Sequence, residues 1–439
     1  MVFRIIFGAL LLFGVTRFVL NGWVSSLYIE PHYFFGYYGF EWVKPLPGNW
    51  MYLPFVAMIV ASIGIIFGGL YRVSAFVFFI SFTYVELLDK SNYLNHYYFV
   101  SLMSFLLIQV PANRHFSLDV YFGRVSPMKR IQNWSLWILK FQLACVYIFA
   151  GIAKINSDWL LEAQPLKTWL QAHHNLPIVG PLMQQEWLAY AFSWTGCFYD
   201  LFIVFFLIYP KTRKLAYAAV IFFHLVTWYL FPIGIFPWVM IFSTTLFFSV
   251  EFHEQILRFL KTFFSSKKRL DASIIRPSRK MNGALRLFLM LFVAVQLLLP
   301  FRYLLYPSDL FWSEEGFRFS WRVMLMHKEG NATFYVRDSA TGREIEINNG
   351  DFLTVTQEDQ MATQPDMILQ YAQFLKAHYE GRKLHFGDHH FTLNNPSVHA
   401  QIYVTLNNRP SQLFVDKKHD LSLLPYNLKH RTWLEPFQP

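Results

Sequence analysis

The chain has 439 residues, of which 54% are hydrophobic, 20% aromatic and only 15% charged, with a formal net charge of +10. Several apolar stretches approach the ~20 residues that a spanning helix needs, which excludes an ordinary water-soluble domain and makes this a polytopic membrane protein. The positive charge sits in short loops between those stretches, where membrane orientation accounts for it, so nucleic acid is set aside as a partner.

In chain order, Arg4 and the apolar run after it resemble a secretory signal, but no small-residue cleavage site follows, so the first helix is expected to stay. Spans are predicted at roughly 4–28, 51–70, 73–89, 97–110, 134–153, 187–209, 215–231, 234–249 and 283–300, nine in all. Basic residues gather in alternate loops. The first holds Arg114, Arg124, Lys129 and Arg130, and the second Lys211, Arg213 and Lys214. The third holds Arg258, Lys261, Lys267, Lys268, Arg269, Arg276, Arg279 and Lys280. The positive-inside rule then puts the N-terminus in the cytoplasm and the C-terminus outside. Cys145 and Cys197 both fall within spans and read as small core residues.

Past residue 300 the composition turns ordinary, giving two domains, 1–300 and 301–439. Residues 317–325 alternate, with Phe317, Phe319, Trp321, Val323 and Leu325 on one face, and predict a strand. Strand pairs are expected at 333–336 with 343–347 and at 400–406 with 412–415. A helix capped by Asp366 lies between them. The fold class is thus a polytopic α-helical membrane protein with an outer α+β, β-sandwich-like domain. After residue 154, Ser157 is expected to cap a helix lying on the membrane surface, with Trp159, Ala163, Leu166 and Leu170 inward, and a second surface helix is expected at 251–264.

Ionisable groups at membrane depth mark sites. Lys154 closes the fifth span, His96 opens the fourth at the same level, His224 lies midway through the seventh, and Asp200 is expected deeper in the sixth. Desolvation favours the neutral form of an amine, so a lysine at this boundary can serve as a base; the plain alternative is an ammonium that snorkels to the interface. His385, Asp388, His389 and His390 form the best metal-like cluster, but without a helical pair of ligands they read as a solvated turn, and no metal is expected. There is no nucleophile elbow, P-loop or dinucleotide fingerprint.

Leu87-Leu88-Asp89-Lys90 with Asn95-His96, Ala150-Gly151 with Lys154 and Asp158-Trp159, and Phe223-His224 followed by Phe231 to Met240 resemble the vitamin K-dependent γ-glutamyl carboxylase family and its relatives with horizontally transferred transmembrane domains. Trp312, Ser320-Trp321, Met324, Asp366-Met367, Gln370-Tyr371-Ala372, Asn407 and Arg409 continue the resemblance in order. It implies an enzyme that oxidises reduced vitamin K with O2 to the epoxide and adds CO2 to glutamate residues of a protein or peptide. A quinone reductase would recycle the cofactor.

The resemblance gives Lys154 the role of initiating base. Asn95 and His96 would position the quinone oxygens, with His224 bracing the pocket and Phe236, Met240 and Trp159 lining it. Arg318 and Arg322, on one face of the predicted strand beside Trp321 and Met324, are suited to binding the glutamate carboxylate bidentately. Two departures touch that region: Phe317 replaces a tyrosine of the animal enzymes and Met326 a histidine. The shorter chain also suggests a bacterial form, with the outer domain in the periplasm, the inner membrane as its location and no long-propeptide site. Quinone epoxidation without carboxylation, and a non-catalytic lipid or small-molecule binding module, are the alternatives.

Overall fold

The computed structural model describes residues 1–128, 131–263, 281–386 and 389–439. Lys129, Arg130, Lys267, Lys268, Arg269, Arg276, Arg279 and Lys280 of the basic loops, and Asp388 of the histidine cluster, lie outside the described residues. Among the described residues, ten helices of nine residues or more build the first part. They are α1 (Val2–Leu20), α2 (Tyr52–Phe67), α3 (Tyr71–Leu88), α4 (Asn95–Gln109), α5 (Asn133–Ala153), α6 (Glu186–Ile208), α7 (Arg213–Leu230), α8 (Phe236–Thr244), α9 (Val250–Phe263) and α10 (Gly283–Leu298).

Every predicted span contains a helix, and among the described residues six helical stretches are long and apolar enough to cross a membrane: Val2–Leu20, Gly48–Phe67, Tyr71–Leu88, Asn133–Ala153, Glu186–Ile208 and Gly283–Leu305. The other three fall short for visible reasons. Helix α4 has 15 residues and α8 has nine, while α7 carries Arg213, Lys214 and His224 in its 18. The first expected span breaks at Gly22, whose φ of 73° ends α1 early. The amphipathic helix after residue 250 is present as α9.

Helices α5 and α6 approach closely at Gly151, where an added Cβ would stand 2.7 Å from the backbone nitrogen of Leu201. Backbone cannot yield as a side-chain tip can. Gly151→Ala is therefore expected to cost about 1–3 kcal/mol through overpacking, read as a lower thermal midpoint in detergent, and to push Lys154 away from α6.

The two ends of the bundle differ. At one end the buried Arg4 donates to the carbonyls of Ile66 (3.2 Å) and Phe116 (2.7 Å), and Asp119 accepts from the backbone of Leu70 and Tyr71. The loops with Arg114, Arg124 and Arg213 belong to this end. The second part of the chain sits on the other, against the segments that follow α3 and α5.

That second part holds β1 (Lys328–Arg337), β2 (Glu344–Ile347), β3 (Lys383–Phe386), β4 (His389–Thr392), β5 (Ser397–Leu406) and β6 (Gln412–Val415), with helices α11 (Val355–Thr363) and α12 (Pro365–Tyr379). Four strands form one antiparallel sheet in the order β2-β1-β5-β6, and β3-β4 make a separate hairpin. Both expected strand pairs are there. The sandwich is not: the buried sheet residues Phe334, Val336, Val398 and Ile402 share a core with Met361, Ile368, Tyr371 and Leu375 of the helices. Helices supply the second layer, so no second sheet is needed. Gln364, rather than Asp366, is the N-cap of α12; Asp366 lies in its first turn.

Residues 317–325 are not a strand. Phe319, Trp321 and Met324 have φ values of 61°, 59° and 51°, left-handed backbone that no extended ladder contains. Their alternation has another cause. Phe319 packs edge-on against Tyr93 and Tyr98, and Trp321 stacks on Tyr98 at 4.9 Å, so the aromatic residues close the end of the bundle on which the second part of the chain sits.

Candidate functional site at the domain junction

Lys154 is the C-cap of α5 and is only 6% exposed. Its ammonium does not snorkel. Nζ lies 2.6 Å from Oδ2 of Asp200 and 3.4 Å from the carbonyl of Ala150, and stands 5.3 Å from the centre of the Trp159 ring. Asp200 is thus level with the lysine, one side-chain length away, rather than deeper. Both side chains are 8% exposed, so the pair sits in a medium where opposite charges attract strongly and a lone charge is costly.

The segment after Lys154 starts as expected but is capped by Asn156, whose Oδ1 accepts from the Trp159 backbone at 2.9 Å; Ser157 is the first helical residue. It is not one surface helix. Short turns at Ser157–Leu160, Leu166–Gln171 and Gly180–Met183 replace it, although Trp159, Ala163, Leu166 and Leu170 are all buried together as the pattern predicted. The indole of Trp159 donates to the Ser193 carbonyl at 2.9 Å, which fixes its ring beside Lys154.

Lys154, Asp200, Trp159, His224, Phe236 and Met240 line one small pocket of about 110 Å³. His224 Nε2 lies 3.1 Å from the Tyr147 hydroxyl, which also lies 3.3 Å from Thr244 Oγ1, so the imidazole is tied to α5 and, through that hydroxyl, to α8. Asn95 and His96 are elsewhere. They line a much larger cavity of about 1060 Å³, together with Lys90, Glu314, Phe317, Arg318, Met326 and Gln364. Phe231, Ile233, Phe236, Val323 and Met324 line both spaces and form the wall between them. Phe236 stands at its centre, with ring distances of 5.3 Å to His96 and 6.2 Å to His224.

Expected neighbours are therefore split by an apolar partition. Asn95 is also fully engaged: its amide donates to the Arg322 carbonyl at 2.8 Å and its oxygen lies 3.0 Å from the Tyr93 hydroxyl. It holds the 317–325 turn in place. The His96 imidazole has no hydrogen-bond partner among the described residues and meets the cavity.

The outer part of the large cavity is basic. Arg318 grips Asp366 (2.8 and 3.3 Å) and Gln364, and Lys90 lies 2.7 Å from the same Asp366 and 3.1 Å from Tyr426 OH. Burial alone would push the Asp366 carboxyl up, but Arg318 and Lys90 outweigh it and hold the group far below the usual carboxylate range. Burial pushes the Lys90 amine down to about 8 despite Asp366. Arg318 is thus the main counter-ion, and Lys90 the surplus cation. Arg322 does not share this site. Its guanidinium lies 4.4 Å over the Tyr303 ring and lines neither space, because the left-handed turns break the common face that a strand would have given it. Trp321 is likewise packed into the bundle core.

Asp200 is visible in the sequence but its contact with Lys154 is not, and Arg17 and Glu86, which both line the large cavity, go unmarked there. Counting every ionisable group inside the spans, not only the histidines and lysines, would have flagged the last two.

Many of the motif residues join the two parts of the chain. Asp158 accepts from Arg409 at 2.7 and 2.8 Å and from Asn407 at 2.6 Å, and Asp89 accepts from Gln357 at 2.7 Å. Tyr33 and Gly36 accept from Gln357 and Gln370 through their carbonyls.

Residues 1–252 match the HTTM domain family, and residues 281–439 match the vitamin K-dependent gamma-carboxylase lumenal domain. No solved structure matches the chain. The chain belongs to the vitamin K-dependent gamma-carboxylase family and is an integral membrane protein.

Proposed function

We propose that this family member carboxylates glutamate residues of a protein or peptide, using reduced vitamin K with O2 and CO2. The observation that carries the proposal is the buried amine of Lys154, set against Asp200 in an apolar pocket one aromatic wall away from a chamber with a basic rim. When bound, the reduced quinone supplies with O2 the strong oxygen base that a glutamate γ-proton requires, and leaves as epoxide.

The residues fit such a ligand. Phe236, Met240 and Trp159 offer faces for a flat ring, and Lys154 takes the acidic O–H proton. The small pocket falls below the roughly 150 Å³ that accommodates a benzene ring, so a two-ring quinone must reach through the wall. Phe236 and Met324 are the side chains that turn aside, and the apolar depth of the large cavity, at Phe7, Phe55 and Phe78, takes the prenyl chain. His96 faces the ring from the far side of Phe236. Arg318 and Lys90 hold the glutamate carboxylate; Arg322 serves the fold. The outer domain faces the periplasm if the membrane is a bacterial inner one, with the N-terminus in the cytoplasm and a separate quinone reductase as partner.

The purified full chain with reduced vitamin K, a glutamate peptide and labelled bicarbonate tests this. Epoxide and fixed label together are expected, whereas absence of both leaves a non-catalytic binding module. Epoxide without label would select quinone oxidation alone, a reading favoured by Phe317 and Met326, which put apolar side chains on the chamber wall. A pH dependence follows from Lys90. Its charge is present below about 8 and lost as pH rises through that value, so KM for a glutamate peptide is expected to rise above about pH 8, and Lys90→Met to flatten that rise.

A further inference from the structure

We propose that Asp200 is the proton acceptor behind Lys154, so that the lysine relays a proton and remains an ammonium after the transfer. This rests on the reading of the small pocket as the place where an acidic O–H meets Nζ.

The geometry drives the inference. Nζ and Oδ2 are 2.6 Å apart with both side chains 8% exposed, so a proton can pass between them along one hydrogen bond shielded from water. As ammonium and carboxylate, Lys154 has no lone pair and is no base. Moving one proton from Nζ to Oδ2 gives amine and carboxylic acid, which frees the lone pair. The ligand's O–H bond then breaks as an N–H bond forms on Nζ. In sum one proton has left the ligand and one O–H bond has formed on Asp200. The ligand anion stays beside an ammonium, and total charge is unchanged.

Among the described residues no other carboxylate lines this pocket to accept the proton. Among the described residues the remaining titratable neighbours are Tyr147 on α5, Cys197 and Tyr199 on α6, and His224 on α7. His224 is bound to Tyr147, and Asp158, close in sequence to Lys154, is held bidentately by Arg409 and does not line the pocket. Gly151 permits the close approach of α5 and α6 on which the pair depends.

A redox-inert two-ring phenol, 2-methyl-1-naphthol, tests the step without turnover, since its ionised form is read by absorbance. The full-length parent protein at neutral pH is expected to bind it and show the naphtholate spectrum. Asp200→Asn is expected to bind it un-ionised, with ionisation regained only at higher pH, and Asp200→Glu to behave as the parent. Ionisation by Asp200→Asn equal to the parent, with none in Lys154→Ala, would overturn the role of Asp200 and leave the lysine's intact. Ionisation by Lys154→Ala, or no binding by the parent, would overturn the pocket reading itself and this proposal with it. Should Asp200→Asn fail to fold, infrared difference spectra of the parent decide. A protonated-carboxyl band must grow on naphthol binding and move in Asp200→Glu, and its absence refutes the proposal.

Discussion

Lys154→Ala is expected to lower epoxide formation roughly 10²- to 10⁴-fold, the usual contribution of a positioned general base. Stability should fall at the same time. The substitution leaves the Asp200 carboxylate buried without its cation, and breaking a buried pair from one side costs about 3–5 kcal/mol. Loss of activity alone would therefore be ambiguous. The double variant Lys154→Ala with Asp200→Ala removes both charges, and its thermal midpoint is expected to lie well above that of the single variant while its activity stays lost. If the double variant were active, or if Lys154→Ala kept parental epoxide formation, the lysine would not be the base.

The second large effect is expected at Asp366. Asp366→Asn leaves Arg318 and Lys90 facing one another across a junction from which their shared carboxylate has gone, again a cost of about 3–5 kcal/mol. Lys90 belongs to the segment after α3 and Asp366 to α12, so the loss should appear as release of the outer part of the chain. Limited proteolysis should cut Asp366→Asn between residues 300 and 330 far faster than the parent. Equal rates would show that the ion cluster does not hold the two parts together. The pH behaviour has a definite sign. Asp366 lies below its ordinary value of 3.8 in the folded protein, so its stabilisation is present above that pH and fades as pH falls below it. Lys90 acts oppositely in the alkaline range: the cost of its buried charge is fully present below about 8 and is relieved as pH climbs toward 10.5.

The helices were legible because apolar runs of spanning length carry their own signal, and the outer strands because hairpins are local. Local patterns misled where tertiary contacts set the backbone. Phe319 and Trp321 alternate like strand residues, yet each is claimed by tyrosines at the mouth of the bundle, 220 or more positions earlier in the chain. Ser157 and Asp366 were each one or two positions from the true cap, the usual uncertainty of a helix end. Lys154, His224, Phe236 and Met240 do share a pocket. Asn95 and His96 do not join them, since level along the membrane normal says nothing about which side of an interposed ring a residue faces. Asp200 was visible as an acid in a span, but its partner depended on how far α6 extends before Asp200 passes Lys154.

The wall between the two cavities draws on both matched stretches of the chain. Phe231, Ile233 and Phe236 come from the stretch matched to the HTTM domain, whereas Val323 and Met324 come from the stretch matched to the lumenal domain. The seam between the two modules thus runs along the partition between the cavities rather than beside them. A chimera that kept either module and borrowed the other from a distant relative would inherit half a partition, with the fit at these five positions left to chance.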